Sequence, residues 1–327
     1  MINYLLFSSK YLPIWQIICK IVLQFQIVSA EETYSLEKEV HTTSKLADYI
    51  QLAKLRLSSL VVFSAAISYI TVVDQIDWIR LLWLVLGGFL VTASSNAFNQ
   101  IIERETDKLM SRTANRPLPQ NRMSVNEALF VAIAFGISGA SILFLFINFL
   151  SGVLGLLALV LYALVYTPLK KKTPFAVFVG AFPGAIPPLL GCVAATSGIG
   201  SFTFQGWILF FIQFIWQFPH FWAIAWVLDE DYQKAGFKML PSPGGRDKRS
   251  AFQILVYTLF LLPISLTPVF FGMSGTISAI IITACGLLFV YQAQKVFNQL
   301  TVQYAKNLMF GSFVYLPVVQ LAIMIGK

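Results

Sequence analysis

Apolar runs long enough to cross a membrane recur along most of the chain. A membrane-spanning helix needs about 20 predominantly apolar residues, because the hydrocarbon core of a bilayer is about 30 Å thick. Nine such runs lie near residues 57–74, 79–102, 127–148, 151–168, 175–196, 203–228, 251–272, 275–294 and 306–326. The pattern therefore predicts an all-α integral membrane protein, folded as a bundle of nine transmembrane helices.

Basic residues are unevenly distributed among the connections between these runs. Every second connection is rich in lysine and arginine, whereas the connections between them, which lie at the opposite ends of the spans, contain only Arg80. The basic set contains Arg104, Lys108, Arg112, Arg116 and Arg122, then Lys170, Lys171 and Lys172, then Lys234, Lys238, Arg246, Lys248 and Arg249, then Lys295 and Lys306. Loops rich in lysine and arginine stay on the cytoplasmic side. We therefore expect the N-terminus inside and the C-terminus outside, as an odd number of spans requires.

Composition supports the membrane assignment. The 327 residues are 57% hydrophobic and 12% charged, whereas roughly 25% of residues in a soluble domain are charged. The net charge of +8 comes from short clusters between apolar runs and not from one basic patch, so a nucleic-acid partner is not expected. The three cysteines, Cys19, Cys192 and Cys285, show neither metal-site spacing nor a disulfide framework.

The first 45 residues differ from the rest of the chain. They contain an apolar stretch that resembles a weak signal or anchor segment, but polar residues such as Lys20 interrupt it. We interpret residues 1–45 as an N-terminal extension to which we assign no structure or function. Residues 46–327 then form the membrane domain.

The most polar stretch within the membrane domain is residues 99–119. Asn99, Glu103 and Asp107 recur every fourth residue, so a helix projects all three from one face. Oxygen ligands of this kind suit magnesium, which combines carboxylates with substrate phosphates, and Arg112 and Arg116 can grip phosphate. The alternative is a solvated, charged helix end. Asn99 favours the site, because a polar residue at membrane depth usually faces the protein interior.

A second polar cluster ends the sixth apolar run. It contains Asp229, Glu230 and Asp231, with Lys234 one helical turn further on; a plain interfacial loop is the alternative. His220 precedes Asp231 by eleven residues, which places it on nearly the same helical face and roughly 16 Å deeper. Such a histidine either faces a cavity or is hydrogen-bonded inside the bundle, and the sequence leaves both interpretations open.

A third signal follows the fourth run. Residues 170–172 are lysines, and the next run is rich in glycine and proline between residues 180 and 191, which allows close backbone approach around a cavity. The charge pattern places all three clusters on one membrane face. Carboxylates, metal ions and basic groups in front of an apolar bundle suit an amphiphile with a diphosphate head, and prenyl transfer is the reaction class expected.

The chain resembles the UbiA superfamily of intramembrane prenyltransferases over about residues 46–327. The matching residues are Asn99-Gln100, Glu103, Asp107, Met110, Arg112-Thr113 and Arg116-Pro117-Leu118-Pro119, then Tyr166 to Lys170, Gly184 to Leu189 with Gly191, Pro219-His220, Asp231-Tyr232, Ala235-Gly236 and Met239 to Pro241. Most of the superfamily has aspartate where this chain has Glu103, and glutamate is typical of the branch that acts on haem.

The resemblance implies a magnesium-dependent enzyme that uses farnesyl diphosphate as donor and haem B as acceptor and makes haem O. It also implies a multi-pass protein of the inner (cytoplasmic) membrane with its active site facing the cytoplasm, and a haem A synthase or a terminal oxidase as assembly partner. The implied metal and catalytic residues are Asn99, Glu103, Asp107 and Asp231. The implied substrate-binding residues are Arg112, Arg116, Lys170, Lys234, His220 and Tyr166.

The second acidic motif departs from the superfamily pattern. The superfamily has two aspartates four residues apart, whereas Leu228 and Tyr232 occupy the aligned positions here. Asp229 and Glu230 are the candidates to replace them.

Two alternative functions remain at this point. One is a prenyltransferase for a quinone precursor, which Glu103 and the Pro219-His220 pair disfavour. The other is a secondary transporter, since broken helices and buried polar residues also mark transport sites. The clustering of polar residues at one membrane face disfavours a transporter, whose site lies near the midplane.

Overall fold

A computed structural model describes residues 44–327, and the described residues form α-helices without a β-strand. The helices are α1 (Lys45–Ala53), α2 (Leu55–Val72), α3 (Trp78–Asp107), α4 (Val125–Ile147), α5 (Phe149–Leu169), α6 (Ala176–Ala194), α7 (Phe204–Val227), α8 (Asp229–Lys234), α9 (Lys248–Phe270), α10 (Thr276–Gln299) and α11 (Val302–Ile325). Most of the extension assigned to residues 1–45 lies outside this part of the chain.

Nine of these helices, all except α1 and α8, are long and apolar enough to cross a membrane within residues 44–327. The predicted fold class, an all-α bundle of nine spans, is confirmed. The largest differences from the predicted bounds are the end of α3, which continues from residue 102 to Asp107, and the end of α10, which continues from residue 294 to Gln299. The polar row of Asn99, Glu103 and Asp107 is therefore helical throughout.

Helices α6 and α7 form the centre of the bundle. They are the most buried of the spans, and α6 packs against α2, α5 and α7 while α7 also contacts α9 and α11. Helices α4, α5, α9 and α10 leave large apolar side chains exposed, among them Leu145 and Phe260. This is the distribution expected when lipid surrounds the outer spans.

Helix α6 remains continuous although Pro183, Pro187 and Pro188 lie inside it. A proline has no backbone N–H, so Pro188 leaves the carbonyl of Gly184 without its helical donor. The side chain of Gln213 on α7 supplies the missing donor, with Nε2 2.7 Å from that carbonyl. The prolines thus tie α6 to α7 through a polar side chain inside the membrane region.

The same glutamine belongs to a polar seam across the bundle. Ser64 Oγ on α2 donates to Gln213 Oε1 at 2.7 Å, and Gln320 Nε2 on α11 lies within 3.0 Å of both groups. Because each polar group finds a partner, these buried residues hold α2, α7 and α11 together in one arrangement.

Candidate active site

The polar row on α3 is buried. Asn99, Glu103 and Asp107 are 2%, 5% and 0% exposed, respectively. They occupy the end of α3 that lies beside the end of α5 and the start of α2. Burial at this level contradicts the alternative of a solvated helix end, since ionised side chains are almost never fully buried unless they are paired.

The amide of Asn99 is held in one orientation by two neighbours. Thr167 Oγ1 donates to the carbonyl of Tyr162, so it accepts from Asn99 Nδ2 at 3.2 Å. On the other side, Lys54 Nζ donates to Asn99 Oδ1 at 3.3 Å. The amide oxygen therefore faces the basic side of the site.

Glu103 pairs with Lys170. Glu103 Oε1 lies 2.5 Å from Lys170 Nζ, and both side chains are buried. The ammonium also lies over two aromatic rings, 5.0 Å from the centroid of Tyr166 and 5.3 Å from that of Phe237. Aromatic faces attract a cation, so the two rings fix the position of the lysine beside the carboxylate.

Asp107 pairs with Arg116 through only one of its oxygens. Oδ2 accepts from Arg116 Nη1 at 2.7 Å, whereas the buried Oδ1 has no hydrogen-bond partner within residues 44–327. A buried carboxylate oxygen without a partner is costly in an apolar interior, and a hard cation is a suitable partner. The donor set of one amide and two carboxylate oxygens fits magnesium. Within residues 44–327, no three acidic, histidine or cysteine side chains converge closely enough to hold a metal ion on their own.

The second acidic cluster touches the loop that follows the first. Asp231 Oδ1 accepts from Ser111 Oγ at 3.1 Å and from Lys234 Nζ at 3.2 Å, and the backbone of Arg112 also bonds to Asp231. Partial burial raises the pKa of Asp231, but these hydrogen bonds outweigh it and lower the pKa below its ordinary value. The two clusters therefore form one continuous polar region.

Asp229 and Glu230 point to a different partner. Arg246 Nη1 lies 3.0 Å from Glu230 Oε1 and Arg246 Nε lies 3.8 Å from Asp229 Oδ2. The same guanidinium donates to the carbonyl of Trp226 at 2.7 Å. These two acidic residues are the candidates for the second metal motif, but here they pair with an arginine that binds the C-terminal end of α7.

Tyr232 stands where the superfamily pattern has an aspartate. Its ring packs 5.9 Å from that of Phe237, and burial raises the pKa of its phenol. Tyr232 therefore contributes a neutral side chain to the wall of the site and no carboxylate.

His220 lies deeper in the bundle, between α7 and α11. Its Nδ1 is 2.7 Å from Ser312 Oγ, and its ring stacks on Trp216 at 4.3 Å. Ser312 Oγ donates its own proton to the carbonyl of Met309, so His220 Nδ1 must be the donor in this pair. In neutral imidazole the other nitrogen, Nε2, then carries the lone pair.

The sequence-predicted residues fall into two groups. The structure brings Asn99, Glu103, Asp107, Arg116, Lys170 and Tyr166 together in the interior, with Asp231, Lys234 and the exposed Arg112 along the edge. His220 makes no polar contact with either acidic cluster in the described residues.

Two residues that sequence reasoning missed also contact this site. Phe237 follows the second cluster and covers Lys170. Lys54 joins α1 to α2, and burial together with the nearby Arg116 and Lys170 charges lowers its pKa well below the ordinary value. In the sequence, the position of Lys54 just before the first long apolar run could have indicated that its side chain lies at the end of a span.

Comparisons with known proteins identify the family of the chain. The model of the UbiA prenyltransferase family matches residues 60–315. A relative from Cytophaga hutchinsonii, named protoheme IX farnesyltransferase, is 50% identical over 285 residues, which cover 87% of this chain and 99% of the relative. A relative of the same name from Christiangramia forsetii is 47% identical and covers 88% of this chain and 95% of its own length.

Solved structures share the fold. A structure described as digeranylgeranylglyceryl phosphate synthase superposes with a TM-score of 0.72 at 23% identity, covering 87% of this chain and 99% of that one. A UbiA homolog from Archaeoglobus fulgidus, bound to DMAPP and Mg²⁺, superposes with a TM-score of 0.68 at 18% identity, covering 85% and 97%. The family match and the close relatives together show that this chain belongs to the UbiA prenyltransferase family.

Proposed function

We propose that this chain transfers a farnesyl group from farnesyl diphosphate to a vinyl group of protohaem IX (haem B), making haem O and releasing diphosphate. The observation that carries the proposal is the 50% identity to the Cytophaga hutchinsonii protoheme IX farnesyltransferase over nearly its whole length. The buried polar site beside an apolar bundle fits the donor's charged head and hydrocarbon tail.

The row on α3 forms the donor-binding half of this proposal. Asn99, Glu103 and Asp107 would hold Mg²⁺, and the buried, unpartnered Oδ1 of Asp107 supports that role. A magnesium ion bound there would supply positive charge to the diphosphate leaving group. Arg116 and Lys170, which already lie beside these carboxylates, would bind phosphate oxygens.

Asp231 and its neighbours form the outer half. Asp231 is proposed to contribute to metal binding from the opposite side, because Ser111 links it directly to the loop after the α3 row. Lys234 and Arg112, both exposed, would meet the diphosphate as it enters from the proposed cytoplasmic side.

The apolar bundle supports the chemistry of the transferred carbon. When the bond between farnesyl C1 and the diphosphate oxygen breaks, its electron pair leaves with the diphosphate and an allylic cation remains. The terminal vinyl carbon of haem bonds to C1, and water adds to the adjacent carbon with loss of a proton. A site that excludes bulk water until the first bond forms prevents simple hydrolysis.

His220 is the proposed contact for the acceptor. Its Nδ1–H is fixed by Ser312, so Nε2 offers a lone pair of the kind that ligates haem iron. Tyr166 would lie in the wall between donor and acceptor, since its ring packs against Lys170 and Tyr162.

We also propose the location and partners that follow from this reaction. The chain is a multi-span membrane protein, and we place its active site on the cytoplasmic face of the inner membrane because the basic connections cluster there. Haem O made at this face would pass to a haem A synthase or to a terminal oxidase.

The test is to express the chain in cells that contain haem B and to identify the extracted haems by chromatography and mass spectrometry. A later-eluting haem, heavier by one C15 prenyl unit and the elements of water, is the expected product. Its absence would contradict the proposal. Prenylation of an added quinone precursor instead would identify the other acceptor class.

A further inference from the structure

Lys54 lies in an unusual backbone conformation. With φ 47° and ψ 59° it ends α1 and directly precedes α2, and it is one of three non-glycine residues at positive φ within residues 44–327. Helices commonly end with a residue of this conformation, and glycine is the usual choice there because it has no Cβ. Lysine at this position therefore carries a steric cost that glycine would avoid.

The side chain of Lys54 reaches the inner half of the site. Its Nζ donates to Asn99 Oδ1 at 3.3 Å, and its charge interacts with Glu103, Arg116 and Lys170. Lys54, Arg116 and Lys170 thus surround the carboxylates of Glu103 and Asp107. An anion bound among the three basic groups would reduce the repulsion between them.

The remainder of α1 is fixed in place, so the position of Lys54 is determined. Arg122 Nε pairs with the buried Asp48 at 2.9 Å, which ties α1 to the loop after α3. Gln100 Nε2 on α3 donates to the carbonyl of Leu52 at 2.7 Å. Both contacts hold the end of α1 against the helix that supplies the polar row.

We propose that Lys54 is a diphosphate-binding residue, with its amine directed at phosphate oxygens beside Asn99. The inference rests on the proposed function, because it takes the anion to be the diphosphate of the donor. If Asn99 Oδ1 helps to hold the metal ion, phosphate oxygens of the donor would lie beside this amide, within reach of the Lys54 amine that already contacts it. The left-handed turn at Lys54 directs the amine to this position.

The test separates the side chain from the turn. Lys54→Gly removes the amine but suits the left-handed backbone better than lysine does. Leu300→Gly is the matched control. Leu300 follows the last residue of α10 in the same left-handed conformation, with φ 53°, and has no proposed role in the site. Lys54→Arg keeps the charge.

Full-length protein in detergent is titrated by calorimetry with inorganic diphosphate and with farnesyl diphosphate, each in the presence of Mg²⁺. We expect Lys54→Gly to weaken both by about tenfold to a hundredfold, the effect of losing a charge-assisted hydrogen bond. Leu300→Gly should bind as the wild type does, and Lys54→Arg should retain most of the affinity. The thermal midpoint of Lys54→Gly should not fall.

Steady-state kinetics add a readout that a structural role would not move selectively. The KM for farnesyl diphosphate should rise in Lys54→Gly, while the KM for haem stays unchanged. Wild-type affinity in Lys54→Gly would overturn the inference. If the glycine variant does not fold, Lys54→Asn, whose residue type also tolerates this conformation, decides by the same criterion. Failure of the wild type to bind either diphosphate would instead contradict the proposed function.

Discussion

The two acidic clusters of the site hold their charges in different ways. On α3, Glu103 and Asp107 are buried and each pairs with its own basic residue. Around α8, Asp231 bonds to the exposed Lys234, and Glu230, whose side chain is 81% exposed, pairs with Arg246. Buried charges interact far more strongly than exposed ones. The α3 row should therefore dominate catalysis, and the α8 cluster should adjust it.

Asp107→Asn should have the largest effect. The change keeps the size of the side chain but removes its negative charge. That charge pairs with Arg116 through Oδ2 and is shared with the unpartnered Oδ1. Loss of one preorganised electrostatic group costs about 10²- to 10³-fold in turnover. Haem O production should fall by at least that factor while the protein still accumulates in the membrane. Retained activity would refute the metal-ligand role.

Asp231→Asn tests the outer half directly. Its hydrogen bonds from Ser111 and Lys234 would lose their charged acceptor. We expect activity to fall about ten- to a hundredfold, the range seen when a supporting ligand is lost, and the KM for farnesyl diphosphate to rise. A loss as large as that of Asp107→Asn would mean that the two clusters contribute equally.

His220→Ala tests a residue that contacts neither cluster. The KM for haem should rise about tenfold, the effect of losing about 1.4 kcal/mol of binding, and the haem absorption spectrum should change. The KM for farnesyl diphosphate should stay the same. Ser312→Ala is the companion variant: it keeps the imidazole but removes the acceptor of the Nδ1–H, so the KM for haem should rise less than in His220→Ala. Unchanged haem affinity in His220→Ala would contradict the proposed contact.

Phe237→Leu probes the support of Lys170. It removes one of the two rings beside the ammonium and keeps an apolar side chain. A weak cation–π contact contributes about 0.5–1 kcal/mol, so the KM for farnesyl diphosphate, measured as initial rates against donor concentration, should rise about two- to fivefold. An unchanged KM would show that Tyr166 alone holds the lysine.

Glu230→Gln should have the smallest effect. Its partner Arg246 remains bonded to the carbonyl of Trp226, and exposed ion pairs contribute only about 0–1 kcal/mol. Turnover should stay within about twofold of the wild type in the same assay. A loss comparable to that of Asp231→Asn would place Glu230 in the metal site.

The sequence predicted the bundle and the α3 row because both depend on local patterns. The apolar runs matched nine spans to within a few residues at most ends. The spacing of four residues predicted that Asn99, Glu103 and Asp107 share one helical face, and that face is buried. The contact between Ser111 and Asp231, by contrast, joins residues far apart in the chain. Only the topology indicated that these two clusters would be close.

Other features depend on three-dimensional packing that no local pattern reveals. Periodicity could not show that Lys54 adopts a left-handed turn, because glycine is the usual signal for that conformation. Nor could composition show that Arg246 would pair with both Asp229 and Glu230. Resemblance to the superfamily indicated which residue types belong to the site but not which partners hold them.

The most direct measurement uses purified protein, Mg²⁺, haem B and farnesyl diphosphate labelled with ¹³C at C1, followed by mass spectrometry of the haem. The proposed function predicts that the label appears in a haem larger by one C15 prenyl unit and the elements of water, and that Asp107→Asn greatly reduces this product. If the label remained in farnesyl diphosphate or farnesol while wild-type protein bound both substrates, farnesyl transfer to haem would be contradicted.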